Sequence, residues 1–356
     1  MNRLFWLMLC CALLFSACSW WTIPEPVVTT DTTQSPINTP IPEGTPVPTP
    51  VGGGMGKLLI IKHVKQDGTQ PIYISNIFVY DLTTRQEIQI TTNTIDIDSY
   101  QYTEAAWSPD GTKIVFCVAE KTIQLNNKDY LWNRLMFTAN LDGSEVQQIS
   151  VIPDYAGIYE AQDILSELRP SFVDNDTILF ISTRKNVSNF RNENRQPYLM
   201  NLNTLEITSP FTTYTNLNAI AISPHRSKIA FSAWNNDSEV YIFDIRTQGN
   251  IIQLTDNEFV DMFPEFSPDG KWILFISFRT GNMDLYIMKL DGSDEQRVTT
   301  NAKIEGLASW SPDGNWLAYV SSQGGLSQVL IQNMETGEIQ QITDGDNPVV
   351  FSRWSP

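Results

Sequence analysis

Apolar and polar positions alternate in blocks along the chain, not in helical stripes. From residue 57 onward, short apolar runs of four to eight residues recur, as in Lys113-Ile-Val-Phe116, Thr177-Ile-Leu-Phe180, Lys228-Ile-Ala-Phe231, Trp272-Ile-Leu-Phe275 and Trp316-Leu-Ala-Tyr319. Runs of that length, rich in β-branched and aromatic residues and bounded by turn signals, predict β-strands. They are nearly continuous instead of strictly alternating, so both faces of each strand must be covered, as when sheets stack on neighbouring sheets.

The strands repeat with fixed punctuation. Trp-Ser-Pro-Asp-Gly occurs at Trp107–Gly111 and Trp310–Gly314, and Phe-Ser-Pro-Asp-Gly at Phe266–Gly270. Weaker copies stand at Ile222–Arg226 and Phe172–Asp176, and a truncated one, Trp354-Ser355-Pro356, ends the chain. The second residue of each copy falls at 108, 173, 223, 267, 311 and 355, so the last three intervals are all 44. Proline presets φ at the second turn position, aspartate suits the third, and glycine accepts positive φ. The motif therefore reads as a hairpin turn, and its serines and aspartates as structural. A second apolar strand follows, as in Asp284–Leu290, then a short turn such as Asp291-Gly292. A third strand ends in Thr or Ser, as in Gln253-Leu-Thr255 and Gln341-Ile-Thr343.

A repeat of about 44 residues with four short strands is a propeller blade. Counting strands before and after each turn predicts six blades, with a lone first strand at Lys57–His63 and a lone last strand at Val349–Trp354. These two should complete one blade and seal the ring. The predicted fold is all-β: a six-bladed β-propeller with four antiparallel strands per blade, over residues 56–356.

These repeats resemble those of the TolB-type propeller family, in which an aromatic-SPDG turn is followed by an apolar strand, S-x-R-x-G-N and D-[IL]-Y. Ser277-Phe-Arg279-Thr-Gly281-Asn282-Met-Asp284-Leu-Tyr286 matches closely. The resemblance covers about residues 57–356 and implies scaffolding at the cell envelope. The chain lacks room for the separate amino-terminal α/β domain of TolB itself, so TolB's partners do not transfer.

The amino terminus departs from this pattern. Arg3, the apolar run Leu4–Phe15 and the small pair Ser16-Ala17 read as a secretory signal over residues 1–17. Phe15-Ser-Ala-Cys18 resembles a bacterial lipobox, which implies cleavage before Cys18 and acylation of it. Stable anchoring then follows from two or three acyl chains, each buried CH₂ contributing about 0.8 kcal/mol. Residues 18–55 shift to Pro, Thr and Gly and read as an extended tether. The expected location is extracytoplasmic, lipid-anchored to a bacterial membrane: the outer membrane or the periplasmic side if the envelope is Gram-negative, the cell surface if Gram-positive.

The formal net charge of −17 argues against nucleic acid, which needs a basic footprint. Of four cysteines, three precede residue 19, leaving Cys117 as a buried hydrophobe in Ile114–Val118. With only His63 and His225, a multi-histidine metal site is impossible, and no cofactor is implied. No GxSxG elbow or phosphate-cradling loop is present.

Function therefore falls to the loops. The long connections, 92–103, 120–134, 151–168 and 183–196, all fall on one face of the first three blades, and 156–168 has the composition of a short helix. They carry Tyr100, Tyr102, Tyr130, Trp132, Tyr155, Tyr159, Arg184, Phe190 and Arg191, side-chain types enriched at binding hot spots. The expected partner is a protein or peptide, or alternatively a cell-wall saccharide. The second functional reading is a carbohydrate-active enzyme or saccharide-binding propeller using Glu104, Glu265 and Glu305 at the channel mouth.

Overall fold

The computed structural model describes residues 56–65, 73–91, 101–119, 123–125, 128–130, 134–150, 167–183, 195–235, 237–247, 249–300, 303–322, 326–344 and 347–356. Blade 1 contains β1 (Lys57–Lys65), β2 (Tyr73–Asp81) and β3 (Glu87–Gln89). Blade 2 is β4 (Gln101–Trp107), β5 (Lys113–Ala119), β8 (Arg134–Asn140) and β9 (Gln147–Gln148), with a two-stranded hairpin, β6 (Ile123–Leu125) and β7 (Lys128–Tyr130), between its second and third strands. Blade 3 is β10 (Glu167–Asp174), β11 (Thr177–Ser182), β12 (Gln196–Asn201) and β13 (Ile207–Thr208). Blade 4 is β14 (Leu217–Ile222), β15 (Lys228–Asn235), β16 (Asp237–Asp244) and β17 (Ile252–Gln253). Blade 5 is β18 (Asp261–Phe266), β19 (Trp272–Ser277), β20 (Asp284–Lys289) and β21 (Gln296–Arg297). Blade 6 is β22 (Glu305–Trp310), β23 (Trp316–Ser321), β24 (Gln328–Asn333) and β25 (Ile339–Gln341).

The last strand, β26 (Val349–Trp354), returns to blade 1 in the order β26-β1-β2-β3. Leu58 pairs with Trp354 and Ile61 with Phe351, antiparallel. The head and tail thus complete each other as the strand count predicts. The six inner strands pack side by side in a ring, with β26 beside both β22 and β4. Closure leaves only the short outer strands as sheet edges.

Six apolar clusters fill the six gaps between blades. Ile61, Ile77, Ile114 and Phe116 join blades 1 and 2; Cys117, Met136, Phe180 and Met200 join blades 2 and 3. Leu179 and Phe231 join blades 3 and 4, Val240 and Phe275 blades 4 and 5, Leu285 and Tyr319 blades 5 and 6, and Val329 and Leu58 blades 6 and 1. Successive side chains of one strand point to opposite faces. Each therefore meets a different neighbouring blade, which is why the runs are apolar at nearly every position.

The repeated turn shows why Ser, Asp and Gly recur. Ser108 Oγ donates to Asp110 Oδ1 at 2.6 Å and accepts from Lys113 N–H at 2.9 Å. Ser267 does the same with Asp269 and Trp272, and Ser311 with Asp313 and Trp316. In blade 4 His225 replaces the aspartate, and Arg226 takes the glycine position at φ 54°. There Ser223 Oγ still accepts from Lys228 N–H at 2.9 Å.

The terminal Thr or Ser of the outer strand is a clasp. The N–H groups of Ile77, Met136, Val240, Leu285 and Val329 donate to the hydroxyls of Thr91, Ser150, Thr255, Thr299 and Thr343. In four of these five clasps a glutamine two residues earlier, Gln89, Gln148, Gln253 or Gln341, donates to that residue's own carbonyl, at 2.7 Å for Gln89 and 2.8 Å for Gln341; Arg297 takes the position in blade 5.

No helix occurs among the described residues. The expected short helix over 156–168 is corrected at its end: Glu167 and Leu168 open β10, paired with Ser182 and Ile181, and residues 156–166 lie outside the described residues. The connection expected over 92–103 is likewise shorter, because β4 already begins at Gln101.

Candidate functional site

Two regions are candidates: the central channel, and the face that carries the connections between blades. The channel is bounded by the six inner strands, and every one of them breaks register at a bulge. The breaks fall between Tyr102 and Glu104, Leu168 and Ser171, Leu217 and Ala219, Met262 and Glu265, Gly306 and Ser309, and opposite Ile61 and Lys62. A bulge re-aims side chains that a regular ladder would send into the sheet interfaces. Three bulges hold a non-glycine residue at positive φ: Arg169 at 55°, Phe263 at 58° and Leu307 at 38°. Such backbone is uncommon for residues of this size and persists only when the surroundings over-determine it.

The bulges bring charges from different blades together. Glu104 is buried, and its Oε1 lies 3.1 Å from Arg169 Nε, while its Oε2 accepts the Arg169 backbone N–H. The Arg169 guanidinium stacks over the Phe263 ring, 4.2 Å from its centroid. This contact runs from blade 3 to blade 5 across the channel. Burial depresses the Arg169 pKa, and the Glu104 carboxylate opposes that shift. Glu265 is reached by Arg353 of blade 1 at 3.7 Å. Burial raises the Glu265 pKa, against the opposing pull of Arg353 and of the Trp310 backbone N–H. The Arg353 carbonyl accepts from Trp107 Nε1–H at 3.3 Å, which ties blade 2 to the same group. Glu305 is fully buried at the start of β22, opposite Ser321. Burial raises the Tyr319 phenol, and the Glu305 charge adds to it.

The three sequence-predicted acids lie in inner strands β4, β18 and β22. Glu104 and Glu265 are each paired with an arginine from another blade. Sequence reading missed those arginines, Arg169 and Arg353. It also missed two buried acids at the first position of inner strands, Glu167 and Asp261. Ser150 Oγ donates to Glu167 Oε2, and Arg279 Nη2 lies 3.0 Å from Asp261 Oδ2. Arg279 also pairs with Glu295, and Arg297 lies 2.9 Å from the buried Asp284. The signal for this network was present in the Ser277–Tyr286 segment, where Arg279 and Asp284 stand out as charges in an apolar context.

The candidate binding face is described only in part. Tyr102 sits in β4 opposite Val118, and Tyr130 in β7 opposite Ile123, so both lie on strands and not in loops. Cys18, Tyr100, Trp132, Tyr155, Tyr159, Arg184, Phe190 and Arg191 lie outside the described residues. Among the described residues, no group of three or more His, Cys, Asp or Glu side chains is arranged to hold a metal ion.

Six four-stranded antiparallel blades around an ion-paired channel define a closed β-propeller. Residues 212–356 match the family model of the TolB β-propeller domain, and the fold is a TolB-type propeller. A candidate TolB from Agrobacterium tumefaciens superposes with a TM-score of 0.56 at 19% identity, covering 79% of this chain and 98% of that one. TolB from Acinetobacter baumannii gives 0.51 at 18% identity, over 82% and 70% of the two chains. An uncharacterised protein of Agrobacterium fabrum is 41% identical over 64 residues. That match spans 18% of this chain and 22% of the relative's own length. An oligogalacturonate lyase in complex with manganese has a TM-score of 0.50 at 14% identity, over 82% and 86% of the chains.

Proposed function

We propose that the protein is an extracytoplasmic, membrane-anchored scaffold that binds a protein partner on the face carrying the blade connections. The observation that carries this reading is the state of the channel acids. Glu104 is held by the Arg169 side chain and backbone N–H from blade 3, and Glu265 is paired with Arg353 from blade 1. A general acid or nucleophile must be open to substrate, whereas these carboxylates hold the ring together. The interaction capacity then falls to the loop face, where the insertions with Tyr100, Tyr130, Trp132, Tyr155, Tyr159, Phe190, Arg184 and Arg191 are concentrated. The TolB-type fold supports an envelope setting, and the lipobox-like Phe15–Cys18 supports anchoring through an acylated cysteine.

Cross-linking in intact cells, followed by affinity purification of the full chain, tests the reading. A defined partner should be recovered, and Tyr130→Ala with Trp132→Ala should lose it without changing the melting temperature. Cys18→Ser should move the protein from the membrane to the soluble fraction. The carbohydrate reading makes the opposite forecast. Glu265→Gln or Glu305→Gln would abolish turnover of a saccharide while partner capture persisted, and that result would overturn the scaffold reading.

A further inference from the structure

Part of the loop face does not depend on the long insertions. The connection Thr255–Asp261 joins the outer strand of blade 4 to the inner strand of blade 5, and Asn257 fixes its shape. Its N–H donates to Glu239 Oε1 at 2.8 Å, its Nδ2 donates to Asp261 Oδ2 at 2.7 Å, and its Oδ1 accepts from Phe259 N–H at 2.8 Å. The second Glu239 oxygen accepts the Thr255 hydroxyl. Asp261 is fully buried and also holds Arg279, whose guanidinium stacks 4.6 Å from the Tyr286 ring centroid. The three hydrogen bonds of Asn257 brace the loop backbone, while the other Asp261 oxygen, Oδ1, is buried without a hydrogen-bond partner.

At the tip of this braced loop stands Phe259, 43% exposed. It is the only aromatic among the exposed large apolar side chains of the described residues. Most of the others, Ile88, Val146, Leu205, Ile252 and Ile339, are scattered singly along the outer strands and their turns, which is ordinary for a protein surface. Phe259 instead leads into half-buried apolar residues: Val260 and Phe278, joined by a hydrogen bond from Phe278 N–H to the Val260 carbonyl at 3.1 Å, and Ile304 on the same cluster.

Around Phe259 the rim of this patch is acidic, while the exposed Lys303 stands beside Ile304 at its far edge. Asp256 and Glu258 flank Phe259 and are exposed, and Asp237 is half-exposed at the start of β16. Burial raises the pKa of Glu239, and the Asp261 and Asp237 charges add to that rise, as a locally negative field requires. Arg279, the basic member of the network, is bonded to carboxylates on two sides, Asp261 and Glu295.

We propose that the Thr255–Asp261 loop is a docking point for a protein segment that offers an apolar pocket bordered by lysine or arginine. This rests on the reading that the loop face binds a protein, and adds the place and the partner's chemistry. A rigid loop loses little freedom on binding, so its aromatic tip can act as an anchor. The acidic rim steers a basic partner and makes association weaken as salt rises.

Random-peptide phage display against the immobilised full chain in mild detergent tests this. Selected peptides should be enriched in an apolar residue flanked by Lys or Arg. Their affinity should fall about tenfold or more with Phe259→Ser, as for loss of a hot spot. Asp256→Lys combined with Glu258→Lys should have a similar effect, and Ile252→Ser none. Phe259→Ser changes an exposed side chain, and an unchanged melting temperature checks that the fold is intact. Peptides lacking basic enrichment, or no enriched peptides at all, would overturn the proposal. Peptides that require Trp132 but not Phe259 would overturn this docking point and leave the wider binding role standing; peptides that require neither would overturn both. A full chain that sediments as a dimer and becomes monomeric with Phe259→Ser would place a second copy on the patch and overturn the basic-partner proposal.

Discussion

Ser355 and Lys57 lie 298 positions apart in the chain and bond twice: Lys57 N–H donates to Ser355 Oγ at 3.2 Å, and Ser355 N–H donates to the Lys57 carbonyl at 2.8 Å. Ser108 and Lys113 make the same two bonds within one hairpin, at 2.9 and 2.8 Å. Trp354-Ser355-Pro356 is therefore a repeat turn split between two distant parts of the chain and rejoined through space.

Removing residues 349–356 should abolish cooperative folding. Val349, Phe351 and Trp354 are buried, and truncating one large core side chain typically costs about 3–5 kcal/mol. Losing all three approaches the whole stability of a typical domain, about 5–15 kcal/mol. Circular dichroism on heating should show no sharp transition in the truncated chain. A normal melt would contradict the closure account.

Gly56 is the hinge of that rejoined turn. Its φ is +66°, and a Cβ there would stand 2.8 Å from Trp354 Nε1. Gly56→Ala should lower stability by about 1–3 kcal/mol, the cost of strained backbone, read from urea unfolding. Gly281→Ala is the informative contrast. It shares a positive φ of 83°, but no heavy atom lies within 4 Å of its added Cβ, so its penalty should be smaller.

Arg169→Met should destabilise the protein by about 3–5 kcal/mol, because it leaves the Glu104 carboxylate buried without its partner. Adding Glu104→Gln should restore much of the loss. A double-mutant cycle by urea denaturation measures the coupling. Additive losses would mean that the pair does not act as a unit.

Acid should weaken the fold through the turn aspartates. For Asp110, Asp269 and Asp313, burial alone would raise the carboxyl, but bonds from the neighbouring serine hydroxyl and backbone N–H groups outweigh it and hold each below 3.8. A carboxyl depressed in the folded state contributes stability above its unfolded pKa and loses it as pH falls through the folded value. The urea midpoint should therefore drop as pH falls below about 4. The triple Asp→Asn variant should show a flatter response in that window.

Cys117 should be inert in the native protein. Burial pushes its thiol well above 9.0, with the Glu104 charge adding to the rise. Alkylation of the native chain should be limited by opening of the blade 2–3 interface, and should become rapid in denaturant. Fast labelling without denaturant would contradict the burial.

The features legible in the sequence were those written locally or periodically. The Ser-Pro-Asp-Gly turn, the third strand ending in Thr or Ser and the two-sided apolar strands each fix a conformation within a few residues, so the blade count and the pairing of the last strand beside the first could be read from the letters alone. The arginines of the channel could not. Arg169 meets Glu104 from 65 positions away, and Arg353 meets Glu265 across the ring, and neither pairing follows the repeat. The bulges that aim them are likewise invisible in a pattern of apolar and polar residues. Phe259 was passed over because the loop that presents it is short; what sets it apart is three hydrogen bonds of Asn257 and its neighbour, not its length.

Because one blade borrows its innermost strand from the far end of the chain, synthesis and assembly cannot finish separately. Until Trp354 has left the ribosome, β1 has no inner neighbour and the gap between blades 6 and 1 has one wall. The ring therefore stays unsealed until β26 has been made.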